Sequence, residues 1–294
     1  MMAMSVAPLV AAVVLSILGG VVRMRAWHAA LAQVAPQIRY RDVVIAHLGG
    51  SGFNGLIPAH GGDAVKLALL KRRASDARFG RLLGSLAPPA AVEALLTALL
   101  LTWALTTGVL GTPLPTRIPL PVVGAAAAIA AALLWLLARR APRLLRDVRA
   151  GMASLRRPRQ LASEVAPWVL AARVIRLCAL ACFIEAVGLP ATLTGALLLM
   201  AVQGGVGSNG PASAPVRIAV LAASLPAAIG VHSISFETAA KLVAATQIST
   251  LIANLGISVV TLAIILRTVS PRRVFGYCRE NIRAAKPTPA VTKP

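Results

Sequence analysis

Apolar residues in this chain fall into unbroken blocks long enough to cross a bilayer, and that feature sets the solvent in which it folds. Met1 to Val22, Ala90 to Leu110, Ile118 to Ala138, Val165 to Val187 and Ile248 to Leu266 are such blocks. Each approaches or exceeds the ~18–20 residues that a helix needs to span hydrocarbon. Charged residues make up 13% of the chain, about half the ~25% of an average soluble domain. That composition excludes a soluble globular enzyme, and 57% hydrophobic residues exclude a disordered chain. The expected fold is all-α, a polytopic transmembrane helical bundle.

Thirty Lys and Arg face nine Asp and Glu, a net charge of +21. The basic residues sit between the apolar blocks. That is the pattern of positive-inside loops facing anionic lipid heads, and it does not indicate a nucleic-acid partner. No Lys or Arg precedes the first block, and Arg23 and Arg25 follow it. A secretory signal carries its positive charge in front and a small-residue cleavage site behind. Met1 to Val22 therefore reads as a retained first span with its N-terminus outside. Eight arginines lie between Arg139 and Arg159, with Asp147 as the one acid, which puts residues 139–160 in the cytoplasm. Leu144, Leu145 and Val148 recur among these arginines as the apolar stripe of an amphipathic surface helix. The expected organisation is a transmembrane domain over 1–269 with about eight membrane segments, then a cytoplasmic, mostly disordered tail over 270–294. Cys178, Cys182 and Cys278 make no disulfide framework. The first two, four apart, share a helix face as small hydrophobes.

Some segments are apolar but interrupted. Val43 to Leu70 contains Gly49, Gly50, Gly52, Gly55, Pro58, Gly61 and Gly62, with Arg39 and Arg41 before it and Lys71, Arg72 and Arg73 after it. A single crossing would leave one basic flank outside. A hairpin or re-entrant segment returns both flanks to one face. Irregular backbone at membrane depth survives only where it is buried in protein or borders a polar cavity. In the second half, Thr192 to Val206 ends in Gln203-Gly-Gly. A glycine- and proline-rich loop follows to Pro215, and Ile218 to Val231 is broken by Pro226 and Gly230. His232 to Gln247 is mixed before the final block. Two halves with broken helices form the pattern of transporters that bind substrate at the break.

Ionisable residues at membrane depth are costly and mark function. Arg173 and Arg176, three apart, share a helix face. They either clamp a phosphate by charge-assisted hydrogen bonds or snorkel to the nearer surface. Asn54, His60, Asp63 and Lys66 form a second group. Asp63 either caps the helix expected to begin at Ala64 or holds Lys66. The helix N-terminus there offers backbone N–H groups to an anion. Arg217 opens the segment after the second break, and Glu185 and Glu237 are candidates for proton coupling. No Gly-x-Ser-x-Gly elbow accompanies His60-Gly-Gly, and Gly205-Val-Gly-Ser-Asn-Gly210 lacks the lysine of a phosphate-binding loop. No cofactor or metal is expected.

The run from Asn54 through Pro58 and His60-Gly-Gly62-Asp63 to Lys71-Arg72-Arg73 resembles the first signature of the flippase-like family that includes the lysylphosphatidylglycerol synthase transmembrane domain. Asn54, Pro58 and Gly62 stand where the family has Asn, Pro and Gly. Asp63 stands in place of its usual Glu, and His60 where Arg is common. The family's Glu-Arg pair with a later Asp meets Glu93-Ala94 here, without the Arg or the Asp. For its second-half signature, Pro-x-x-Gly-Gly-x-Gly followed by Glu, two stretches compete: Gly204 to Pro215, and Pro226 to Gly230 with Glu237 beyond.

The resemblance implies an integral inner-membrane protein that handles or translocates lipid-linked or aminoacylated lipids. Aminoacyl-transferring members carry a soluble domain after the membrane part. None follows within residues 1–294, so lysyl transfer by these residues is not expected. The expected function is binding and translocation of a phosphate-bearing lipid, anionic or polyprenyl-phosphate. Lys66, Arg173 and Arg176 would hold the phosphate, and Asn54 and Asp63 would read headgroup hydroxyls or amines. Two alternatives stand beside it. One is an accessory membrane subunit that stabilises a partner protein of lipid or glycan biosynthesis. The other is a lipid-modifying enzyme, for which His60 with Asp63 is the candidate pair. The topology is checked by single cysteines at Ser154 and Thr112 in a cysteine-free background. An impermeant thiol reagent applied to intact cells should label Thr112→Cys and spare Ser154→Cys; labelling of the latter would overturn the arrangement.

Overall fold

The computed structural model describes residues 5–54, 61–74, 77–108, 142–205 and 214–266. The span expected at Ile118 to Ala138, the loop at Gly111 to Arg117 and the tail after Leu266 lie outside the described residues. The described chain forms α1 (Val6–Ala32), α2 (Tyr40–Ser51), a 3-10 turn (Gly52–Asn54), α3 (Gly61–Arg73), α4 (Phe79–Gly84) and α5 (Ala87–Thr106). It continues with α6 (Pro142–Gly151), short turns over 153–165, α7 (Ala166–Ala186), α8 (Leu193–Gly205), α9 (Ala214–Ile229) and α10 (Phe236–Leu266). No strand occurs among the described residues.

Helices α1 and α7 make the central contact and run antiparallel. The Ser5 N–H donates to the Ala186 carbonyl (3.0 Å) at one end. Arg176 donates to the Ser16 hydroxyl (3.4 Å) midway, and Gln33 donates to Gln160 (3.3 Å) past the other end. The backbones come close at Gly19, where a Cβ would stand in van der Waals contact with the Ala172 carbonyl oxygen (3.5 Å); small residues let helices pack closely in a membrane. The apolar block ends at Val22, yet α1 runs on to Ala32. Its two arginines find partners that make a helix end unnecessary. Arg23 pairs with Glu93 of α5, and Arg25 lies over the rings of Tyr40 and Trp168, at 5.0 and 5.7 Å.

Val6–Ala32, Phe79–Thr106 and Phe236–Ile265 are long and apolar enough to cross a bilayer. At 21 residues, or ~31 Å, α7 runs beside α1 through the same thickness. The outward faces are apolar: Val6, Val10, Val14 and Leu18 at four-residue spacing on α1, and Leu95 and Leu99 on α5. Cys178 also lies on an exposed face of α7. These are the lipid-facing surfaces of a helical membrane bundle. The mixed stretch before Ile248 is no break, because α10 is one helix of 31 residues. Ser235 accepts the Thr238 N–H at its start (3.2 Å), a capping contact, and Glu237 pairs with Lys241 one turn on (2.6 Å). Nor is α9 broken at Pro226; it ends at Ile229, before Gly230 with φ +74°.

The interrupted stretch 43–70 is a hairpin. Asp42 at the start of α2 and Arg73 at the end of α3 are 3.7 Å apart, so both basic flanks share a face. With 12 residues, ~18 Å, α2 reaches about halfway through a ~30 Å hydrocarbon core. Its end is held by α10. The Gly52 N–H donates to the Ser258 hydroxyl (2.7 Å), which donates to the Leu48 carbonyl (2.6 Å), supplying the partners a re-entrant backbone requires. Helices α8 and α9 form a second hairpin, since Thr192 before α8 donates to the Ala228 carbonyl at the end of α9 (3.2 Å). The first hairpin starts beside the C-terminal end of α1, where His28 meets Tyr40. The second starts beside the C-terminal end of α7, where Gly195 meets Ile184. Because α1 and α7 are antiparallel, the two hairpins enter from opposite faces.

The amphipathic helix expected in the basic loop is α6, and it rests on α4. Gly84 and Gly151 face each other with no room for a Cβ on either, and Arg78 pairs with Asp147 (3.3 Å). Ser154 is buried at 1% exposure, so the exposed Arg156 is the better labelling position for this loop. Gly50 sets the hairpin's spacing: a Cβ would fall 2.6 Å from both the Gly62 carbonyl oxygen and Lys66 Cγ. Gly50→Ala should therefore cost about 1–3 kcal/mol through overpacking. Gly256→Ala, with nothing within 4 Å, should be neutral or stabilising. Thermal unfolding in detergent reads both, and equal midpoints would contradict the tight hairpin.

Candidate functional site

A guanidinium in hydrocarbon has no water to bond, so each intramembrane arginine must find protein or ligand partners. Arg173 and Arg176 lie about midway along α7. Arg173 donates to the Thr97 hydroxyl (2.7 Å) and to the Glu93 carbonyl (3.2 Å) of α5. Arg176 donates to the Gln203 side-chain oxygen of α8 (2.9 Å) and to Ser16 of α1. Both point into the bundle, toward α5, α8 and α1. Glu93 and Thr97, four apart on one face of α5, also bring in α1, because Arg23 donates to the Glu93 carboxylate (2.7 Å). Gly204 lets α8 close on α5; a Cβ there would meet Thr97 Cγ2 at 2.7 Å. The result is a polar seam from Arg23 through Glu93, Thr97, Arg173 and Gln203 to Arg176.

The seam continues toward the first hairpin. Arg23 lies within electrostatic range of His47, Lys66 and Arg173. Lys66, 7% exposed, donates to Asp63 (2.7 Å). Helix α3 begins at Gly61, so Asp63 is its third residue rather than its cap, and the second of its two expected roles, holding Lys66, is the one present. His47 of α2 sits against Gly20 of α1. Its buried Nδ1 has no hydrogen-bond partner among the described residues.

Among the described residues the seam's charge is unbalanced. Thr97, Ser16 and Gln203 satisfy hydrogen bonds of Arg173 and Arg176 without neutralising them, and Glu93 is shared with Arg23. Guanidinium groups so held can exchange neutral acceptors for a phosphate or carboxylate, which they bind in forked geometry.

The other expected residues are placed as follows. Arg217, 2% exposed, lies in the first turn of α9. The backbone of Asn54 ends the 3-10 turn against α10. His60 lies outside the described residues. Glu185 is exposed at the C-terminal end of α7, and Glu237 is exposed and paired with Lys241, so neither joins the seam. Arg23, His47, Thr97 and Gln203 were not among the expected site residues. Arg23 was available as a charge ending an apolar run; His47, Thr97 and Gln203 acquire their place only through tertiary contacts. Removing Glu93 should leave Arg23 without its counter-ion. Glu93→Ala is expected to lower stability by about 1–3 kcal/mol, with a smaller loss for Glu93→Gln, which keeps an acceptor. Unchanged thermal midpoints for both would contradict this pairing.

No curated protein and no solved structure shows significant similarity to the chain. The family model of the lysylphosphatidylglycerol synthase TM region matches residues 1–266. That range takes in both hairpins, the antiparallel central pair and every residue of the seam, and the chain belongs to this family.

Proposed function

We propose that the protein binds a lipid with an anionic, phosphate-bearing headgroup in the seam and carries that headgroup across the cell's inner membrane, with the acyl chains remaining in the bilayer. The observation that carries the proposal is the pairing of Arg173 and Arg176 with neutral groups at mid-depth. Burying an unpaired charge is far more costly than burying a paired one, and an anionic headgroup supplies the missing charge. Lys66 and Arg217 extend the set of buried cations. Asn54 and Asp63 are assigned to the headgroup's hydroxyls or amines, with His60 beside them in the same run. Membership of a lipid-related membrane family supports the same reading.

Losing a buried charge-assisted contact costs about 2–5 kcal/mol. Lys66→Ala and Arg176→Ala should each cut co-purifying lipid at least tenfold. Lys66→Arg should be tolerated better than Lys66→Ala, and Arg146→Ala, exposed on α6, should change little. Native mass spectrometry of each nanodisc-purified variant measures retention, with circular dichroism to check folding. Folded Lys66→Ala and Arg176→Ala proteins that retain lipid like wild type would remove the seam from consideration. Retention of a protein in place of lipid would favour the accessory-subunit alternative.

A further inference from the structure

The two halves of the chain are built alike. Each starts with a long helix (α1, α7) and continues with a hairpin of shorter helices (α2–α3, α8–α9). Each ends in a long span, α4–α5 at Phe79–Thr106 and α10 at Phe236–Ile265. Neighbours match under that pairing. The first hairpin packs through α2 on α10 of the other half, and the second through α8 on α5. Helix α1 touches α10, as α7 touches α5. The sequence carries the same repeat. Gly49-Gly50-Ser-Gly52-Phe-Asn54-Gly55 and Gly204-Gly205-Val-Gly207-Ser-Asn209-Gly210 share the pattern Gly-Gly-x-Gly-x-Asn-Gly, 155 residues apart. Among the described residues, glycines of both copies face the opposite half. Gly49 and Gly52 lie against Leu262, Leu255 and Ser258 of α10, and Gly204 lies against Thr97 of α5.

The halves are inverted. Antiparallel α1 and α7 relate them by an axis in the membrane plane, the arrangement of carriers that rock one repeat against the other around a fixed central site. The hairpins enter from opposite faces, and the charged seam lies between them on α1, α5 and α7.

We infer that the protein is an alternating-access carrier with one central anion site, reached from one face when the α2–α3 hairpin leaves α10 and from the other when the α8–α9 hairpin leaves α5. The lipid reading above supplies the cargo; the two-sided access rests on the inverted packing alone.

Two engineered disulfides test it in a background without Cys178, Cys182 and Cys278. Ser51→Cys with Ser258→Cys locks the first hairpin, the two hydroxyls being 3.4 Å apart. Thr97→Cys with Gly204→Cys locks the second. The Thr97 Cβ is 3.7 Å from a Cβ placed at Gly204, within the ~3.5–4.5 Å a disulfide needs. Ser16→Cys, beside Arg176, reports access to the seam. Proteins are reconstituted in phosphatidylcholine vesicles, and an impermeant maleimide is applied from each face. With the first hairpin locked, Ser16→Cys should react at least tenfold faster from the face of the second hairpin. With the second locked, the preference should reverse. Reduction of either disulfide should abolish the preference and serves as the folding control. Preference for the same face in both locked proteins, no preference in either, or failure of either pair to cross-link under oxidant would overturn the inference. Movement of fluorescent phosphatidylglycerol by the wild-type protein is measured separately. Reversing access without movement would leave the inversion standing and reject this lipid cargo.

Discussion

Hydrocarbon offers a charged side chain no partner, and the whole arrangement answers that constraint. Arg173 and Arg176 on the central helix cannot be left bare, so α5, α1 and α8 each present an acceptor to them: Thr97 and the Glu93 carbonyl, Ser16, and Gln203. Three helices are thereby fixed around α7 by hydrogen bonds as well as by packing. In a bilayer the apolar faces gain little from leaving lipid, so polar contacts and close small-residue packing are what orient helices. The glycines supply the second element. Gly50, Gly52 and Gly204 each stand where a side chain would hold a neighbouring helix or hairpin away.

The gross fold was legible because two signals survive in a single sequence. Length and hydropathy marked the spans, and basic residues on both flanks of 43–70 marked a hairpin, which Asp42 and Arg73 then close. Boundaries failed where a charge found a partner far along the chain. Nothing local says that Arg23 continues α1, because its carboxylate, Glu93, is 70 residues away. The mixed stretch before Ile248 reads as a break by hydropathy, yet the Glu237–Lys241 pair and the Ser235 cap make it the first turns of α10.

The site was half legible. Lys66, Arg173 and Arg176 stand out as cations in apolar runs. Thr97 and Gln203 do not, because a neutral polar residue becomes significant only when a guanidinium is seen to need it. His47 lay within the apolar run of the hairpin, and its place against Gly20 of α1 is a tertiary fact. The resemblance between halves was visible as composition. Its sharper form, a seven-residue pattern repeated at 155 residues, acquires meaning once Gly52 and Gly204 are seen to belong to hairpins packed on the opposite half.

The charge count of the seam has an electrical consequence. Arg23, Lys66, Arg173 and Arg176 face only Glu93 and Asp63 among the described residues, leaving two positive charges in excess in the seam. A membrane potential does work on such charges, ~2.3 kcal/mol for each elementary charge taken through a full 100 mV. A monoanion seated there cancels half of the excess, and a dianion all of it. Under the proposed anion binding, the empty and loaded protein would feel different forces from the same voltage, so a rearrangement that shifts the seam relative to the field would tie occupancy to membrane potential.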